Sequence, residues 1–257
     1  DVLELDVQFT KEGEIVVWHG PDLENVYIEG VEPDPKKRPK GRKNIGDFYW
    51  EELKGKAWVA DPGESDLNTV MDDKEGRQLV RLSELLELFP QTPLNIEMKA
   101  SFYDRNGNGN GLRDNVSQFL DIVTKGKNER NIVVASARHR TLKEFRRQES
   151  KNYPTNFSSF EHLTLPFAKK ILNNRVFETT HVNYVSSRRI IEKVRKLGGS
   201  TYVVLTHLWP FPAIDVDPSE KDIFEILDRG VDGIMTDRPG CIRKIMDKWI
   251  QMKEGDQ

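Results

Sequence analysis

Val2-Leu3-Glu4-Leu5-Asp6-Val7-Gln8-Phe9 alternates apolar and polar side chains without a break. Side chains alternate across a strand, so Glu4, Asp6 and Gln8 share one face and Leu3, Leu5, Val7 and Phe9 the other. On an exposed antiparallel sheet the acidic face would simply be the wet one. In a parallel barrel the apolar face packs against helices, and the acids point inward, where paired carboxylates are costly unless a cation neutralises them. A second stretch repeats the pattern: in Leu94-Asn95-Ile96-Glu97-Met98-Lys99, Asn95, Glu97 and Lys99 oppose Leu94, Ile96 and Met98. Either strand alone is best read as an exposed acidic edge; together they make an oxygen-rich site suited to magnesium or calcium. Lys99, two residues past Glu97, is placed to hold an anionic group beside such a cation.

Between these strands lies Glu14-Ile15-Val16-Val17-Trp18-His19-Gly20. The Lys11-Glu12-Gly13 turn is short enough to fold this run back beside Val2–Phe9, so that His19 ends a strand next to the carboxylates. A histidine at a strand end is usually structural. Beside a metal and a phosphate-binding lysine, general acid–base work is the better reading.

Further strands are expected at Ile132–Ala135, Thr201–Leu205 and Gly233–Met235, with weaker ones near Thr155–Ser159 and Phe177–Asn183. Amphipathic helices fall between them, with Leu82, Leu85, Leu86 and Phe89 on one; Val116, Phe119, Leu120 and Val123 on the next; Ile190, Ile191, Val194 and Leu197 on a third; and Ile223, Ile226 and Leu227 on a fourth. Ser219 with Asp222 forms a capping-box pattern, and Gly198 and Gly230 follow helix ends. Alternating strand and helix predicts a parallel sheet, barrel or doubly wound; the lack of a Gly-rich phosphate loop favours the barrel. One domain, 1–257, is expected, with a polar insertion at about 24–75. That insertion carries a basic run at 36–43, read as a solvated excursion or, alternatively, a peripheral contact with anionic lipid headgroups.

Composition closes several routes. The 257 residues carry a net charge of -3, against a nucleic-acid-binding surface, and contain no long apolar run. The single cysteine, Cys241, leaves no disulfide framework or cysteine metal site. Compartment and oligomeric state are not legible. His139, His162 and His181 are read as lying in or near irregular segments, and Asp237 as anchoring the loop after the last strand. Asp104 to Gly111 looks like a calcium loop but lacks the expected closing Glu.

In order, "LELDVQFTKEGEIVVWHG", "LVRLSELLELFPQTPLNIEMK" and "ILDRGVDGIMTDRPG" resemble the glycerophosphodiester phosphodiesterase family, from residue 1 to about Asp247. The family's pattern is an acidic "ExD" strand, "TKDG", "VVxHD" and an "NxEIK" strand. The resemblance implies a (β/α)8 TIM barrel, with metal ligands Glu4, Asp6 and Glu97, catalytic His19 and a phosphate-side Lys99. It implies metal-dependent hydrolysis of glycerophosphodiesters to glycerol 3-phosphate and an alcohol.

Three departures stand out. The family's opening "HRG" strand, with a second histidine, has no counterpart, so the first strand is expected about 25–30 residues upstream of Asp1, one βα unit away. Gly20 replaces the Asp that follows the family's histidine. The "WTVN" strand becomes Leu205-Thr206-His207-Leu208-Trp209, making His207 and Trp209 candidate substrate-lining residues. The runner-up readings are a phospholipase D acting on lysophospholipid or sphingomyelin, kept alive by Gly20, and an inactive phosphodiester-binding domain. An unrelated barrel enzyme has no specific support.

Overall fold

The computed structural model describes residues 1–19, 23, 26–30, 44–59, 78–99, 111–125, 132–157, 175–179, 187–205 and 219–255. His207, Trp209, His162, His181, the basic run at 36–43 and residues 104–110 lie outside the described residues. Two compact units are formed, Asp1–Tyr153 and Pro154–Gln257.

In the first unit, strand β1 (Leu3–Phe9) pairs antiparallel with β2 (Ile15–Val17), with Val7 opposite Val17. Five residues, Thr10 to Glu14, make the turn. Thr10 closes it through its N–H to the Glu14 carbonyl at 2.9 Å, and its hydroxyl accepts the Glu14 N–H at 3.0 Å. Gly13 sits there at φ +104°, a conformation only glycine adopts without strain.

On its other side β1 pairs in parallel with β5 (Leu94–Met98), which pairs in parallel with β6 (Ile132–Ala135). From Leu5 to Phe9 both faces of β1 are buried, as a parallel sheet covered by helices requires. Its apolar face joins a core with helices α2 (Leu82–Leu88), α3 (Gly111–Lys125) and α4 (His139–Gln148), where Phe119 meets Phe145 edge-on, ring centres 6.1 Å apart. The anticipated heptad-like spacings supply these contacts, except that Phe89 lies past the helix end and is 45% exposed. His139 is the first residue of α4, beside the irregular stretch that precedes that helix.

The insertion also departs from expectation. Its described part is not simply a polar excursion. Strands β3 (Val26–Ile28) and β4 (Ala57–Val59) form an antiparallel pair, accompanied by a 3-10 turn at Ile45–Asp47 and the short helix α1 (Trp50–Leu53). Leu23, Val26, Ile28, Ile45, Phe48 and Leu53 build a second core with almost no exposure. The returning chain stitches this core to the sheet: Gln78 bridges to Trp58, and Arg81 to Val16. Arg81 also lies 5.5 Å over the Trp50 ring and grips Glu84 at 2.7 Å.

The second unit holds β7 (Thr155–Asn156), β8 (Arg175–Thr179), β9 (Ser200–Leu205) and β10 (Gly233–Thr236), each parallel to the next. Helices α5 (Arg188–Lys196), α6 (Glu220–Asp228) and α7 (Pro239–Gly255) accompany them. Val203, Ile223, Ile226, Leu227 and Ile242 form its core. The capping box is present, with Ser219 N–H donating to Asp222 at 2.9 Å, and Gly198 and Gly230 both take positive φ after their helices. Gly233 is required for another reason: a Cβ there would sit 2.3 Å from the Tyr202 ring. After β10 it is Thr236, through its hydroxyl, that receives the Arg238 N–H, at 3.0 Å; the loop-anchoring role expected of Asp237 is taken by its neighbour. No helix among the described residues is long and apolar enough to cross a membrane.

Candidate active site

Register sets the site. Parallel pairing of β1 with β5 aligns Asp6 with Glu97 and Glu4 with Asn95, so the two acidic faces coincide. One carboxylate oxygen from each of Glu4, Asp6 and Glu97 lies within 4.8 Å of the others. A cation with metal–oxygen bonds of about 2.1 to 2.4 Å spans such a set, and an all-oxygen donor set is the kind magnesium and calcium take. The residues fit a divalent metal. Glu4 is the most exposed of the three and Asp6 is buried.

Lys99 stands directly against Asp6 and Glu97, just past the end of β5. Its Nζ is 2.9 Å from Asp6 Oδ1 and 2.8 Å from Glu97 Oε2. Burial pushes the Asp6 carboxyl above the usual carboxylate range, against the opposing pull of the Lys99 charge; Glu97 pushes it further up. For Lys99 burial acts downward, but the Glu97 and Asp6 charges outweigh it and hold the ammonium above its ordinary value. The set of three carboxylates and one ammonium leaves two unbalanced negative charges if all are ionised, which matches one divalent cation.

His19 follows β2, and its Nε2 is 3.9 Å from Asp6 Oδ2. The imidazole is 76% exposed, free to meet a substrate from solvent. The hairpin that brings it there is fixed by backbone: Trp18 N–H donates to the Asp6 carbonyl at 2.9 Å. The structure thus brings together Glu4, Asp6, His19, Glu97 and Lys99 within the first unit, with Asp6, Glu97 and Lys99 toward the C-terminal end of the parallel β1–β5 pairing, the end at which barrel enzymes keep their chemistry.

Two residues of this surround were not singled out by sequence. Ser136, after β6, is buried and donates its hydroxyl to the Met98 carbonyl at 2.7 Å, fixing the end of β5 beside Lys99. Gln8 is buried on the acidic face of β1; its shared parity with Glu4 and Asp6 was the available signal.

The sequence pattern of the glycerophosphoryl diester phosphodiesterase family matches residues 1–241. Among solved structures, a putative glycerophosphoryl diester phosphodiesterase from Silicibacter pomeroyi is similar at 20% identity, with 98% of this chain and 84% of that one covered and a TM-score of 0.69. A putative enzyme of the same name type from Galdieria sulphuraria gives 21% identity, coverage of 95% and 84%, and a TM-score of 0.62. A glycerophosphodiester phosphodiesterase from Agrobacterium tumefaciens gives 18%, 93%, 84% and 0.60 in the same order. No curated protein matches the chain. With a family pattern running over nearly its whole length and these neighbours sharing its fold, the chain belongs to the glycerophosphoryl diester phosphodiesterase family and is an enzyme of that kind, a phosphoric diester hydrolase of the (β/α)8-barrel class.

Proposed function

We propose that the chain hydrolyses glycerophosphodiesters to glycerol 3-phosphate and an alcohol, using a divalent cation held by Glu4, Asp6 and Glu97. The observation that supports this most is the cluster of three carboxylates, two of which meet the Lys99 ammonium and one of which lies beside the exposed His19 imidazole. A bound cation would draw charge from the nonbridging phosphate oxygens and help orient the attacking hydroxyl. Lys99 adds a fixed positive charge at the anionic end of the substrate. His19, reachable from solvent beside Asp6, gives or takes the proton at a bridging oxygen. His207 and Trp209 are proposed to line the alcohol side, and the run at 36–43 to touch anionic lipid surfaces.

Two substitutions test the reading with glycerophosphocholine and added Mg2+ or Ca2+. Glu97→Gln is expected to abolish cation-dependent turnover and to weaken cation binding measured by calorimetry, with the fold intact by circular dichroism. Full activity in that variant would remove Glu97 from the ligand set. His19→Ala is expected to cost at least about a hundredfold in kcat, the scale of a lost acid–base group; a loss below about tenfold would make it structural. Gly20 after the histidine supports a second reading, cleavage of lysophospholipid. Faster turnover of lysophosphatidylcholine than of glycerophosphocholine would favour it.

A further inference from the structure

The carbonyls of Trp18 and His19 turn toward the same side chain. Gln8 Nε2 lies 3.3 Å from the Trp18 oxygen and 3.4 Å from the His19 oxygen. A primary amide carries two N–H groups, one for each acceptor. Gln8 is only 5% exposed and sits two residues past Asp6 on the site face of β1, so the amide is held by a rigid strand.

His19 needs such a hold. Its imidazole is 76% exposed, and its distance of 3.9 Å to Asp6 is too long for a hydrogen bond. Among the described residues the backbone bonding of the hairpin ends at Trp18, whose N–H donates to the Asp6 carbonyl. The residue after His19 is Gly20, and glycine restricts its own backbone less than any other residue. A glycine at this point in the sequence brings no side chain of its own to fix the peptide that joins them. What does engage that peptide's carbonyl is the Gln8 amide.

We infer that Gln8 is a positioning residue for the reaction: by holding the Trp18 and His19 carbonyls it sets where the His19 imidazole stands over the carboxylate site. The inference rests on the reading of His19 as the proton-transfer group. Misplacing a reacting group by about 1 Å costs up to about a hundredfold in rate, so loss of a two-point tether is expected to lower kcat about tenfold.

The test is a double-mutant cycle on the full chain with glycerophosphocholine and saturating Mg2+. Gln8→Met keeps the side-chain length and removes the amide; Gln8→Asn keeps an amide but withdraws it by one carbon, and the same pattern is required of both. Expected are a fall in kcat of about tenfold, a change in KM below about twofold, and unchanged Mg2+ affinity by calorimetry. In a His19→Ala background the Gln8 substitution is expected to cost nothing further, because there is no imidazole left to place. The His19 ring proton signals, identified by their disappearance in His19→Ala, should shift in Gln8→Met. Equal losses in both backgrounds, or an unmoved His19 signal, would overturn the role of Gln8 while leaving that of His19 standing. Full activity in His19→Ala alone would overturn the proton-transfer reading and this inference with it.

Discussion

The described residues of the first unit form two apolar cores of unlike origin, and β2 belongs to both. The core under the sheet is built from regular elements, with Leu5, Val7, Leu94, Ile96, Val116 and Phe119 recurring at strand or helix spacing. The core of the insertion gathers Leu23, Ile28, Ile45, Phe48 and Leu53 from three-residue strands, a single turn and loops. Along β2 the side chains alternate between them: Ile15 packs in the first, Val16 in the second, and Trp18 against the second. Asp6 and Glu97 ride on strands whose apolar faces belong to the first core alone, whereas His19 leaves the strand shared by both. The proposed ligand set and the proposed proton-transfer group therefore depend on different packing.

The largest expected effect breaks the sheet core. Phe119→Ala empties a fully buried site and is expected to cost about 3–5 kcal/mol, as aromatic truncations do. In urea unfolding this should appear as a global loss, and cation affinity should fall with the folded fraction. Phe48→Ala, equally buried, is expected to cost about 3 kcal/mol, felt mainly within the insertion. Native-state hydrogen exchange should then show faster exchange at Val26–Ile28, with Leu94–Met98 still protected. The same variant should turn over more slowly at unchanged cation affinity, and a matching loss of affinity would erase the distinction between the two cores.

Lys99→Met probes the ligand set without disturbing either core. Its ammonium lies within 3 Å of oxygens that a cation would also use, so its removal is expected to tighten Mg2+ binding about tenfold, or about 1.4 kcal/mol. Calorimetry reads this directly; weaker binding would mean that Lys99 organises the carboxylates rather than competing for them. KM for the phosphodiester should rise in the same variant. The smallest change is expected from Arg81→Met, which removes a stacked and paired but partly exposed guanidinium at the seam, at about 0.5–1 kcal/mol. Urea midpoints should resolve it, with exchange accelerating near Trp58 before it does near Leu94.

The contrast also explains what could be read from the sequence. The strand bearing Glu4 and Asp6 and the strand bearing Glu97 were legible because period-two alternation over five or more residues marks both the element and the face. Their mutual register was not; it follows from parallel pairing that no local pattern encodes. Nor was the second core visible. Val26–Ile28 and Ala57–Val59 are too short to show a period, and the basic and proline-rich residues between them dominate the local composition. The strand expected near Phe177–Asn183 begins earlier, at Arg175, where Arg-Val-Phe-Glu-Thr has no period-two alternation to mark its start. The short turn at Lys11-Glu12-Gly13 already grouped His19 with the acids, and the family resemblance added its catalytic role. The two carbonyls that Gln8 meets are backbone atoms, and side-chain patterns carry no signal for them.

The turn between β1 and β2 has a consequence for how the chain tolerates changes in length. Thr10 to Glu14 is closed by bonds from both ends, Lys11 N–H donates to the Phe48 carbonyl at 2.8 Å, and Gln118 reaches the Gly13 carbonyl at 2.7 Å. Adding or deleting one residue there would turn β2 over, sending Val16 and Trp18 toward the core of the sheet and Ile15 and Val17 toward that of the insertion. His19, which follows directly on this strand, would lose its place beside Asp6. Surface connections elsewhere absorb extra residues at a cost that grows only slowly with their length. Among descendants of this chain, insertions and deletions should therefore accumulate in those connections, while the spacing of thirteen positions from Asp6 to His19 stays fixed.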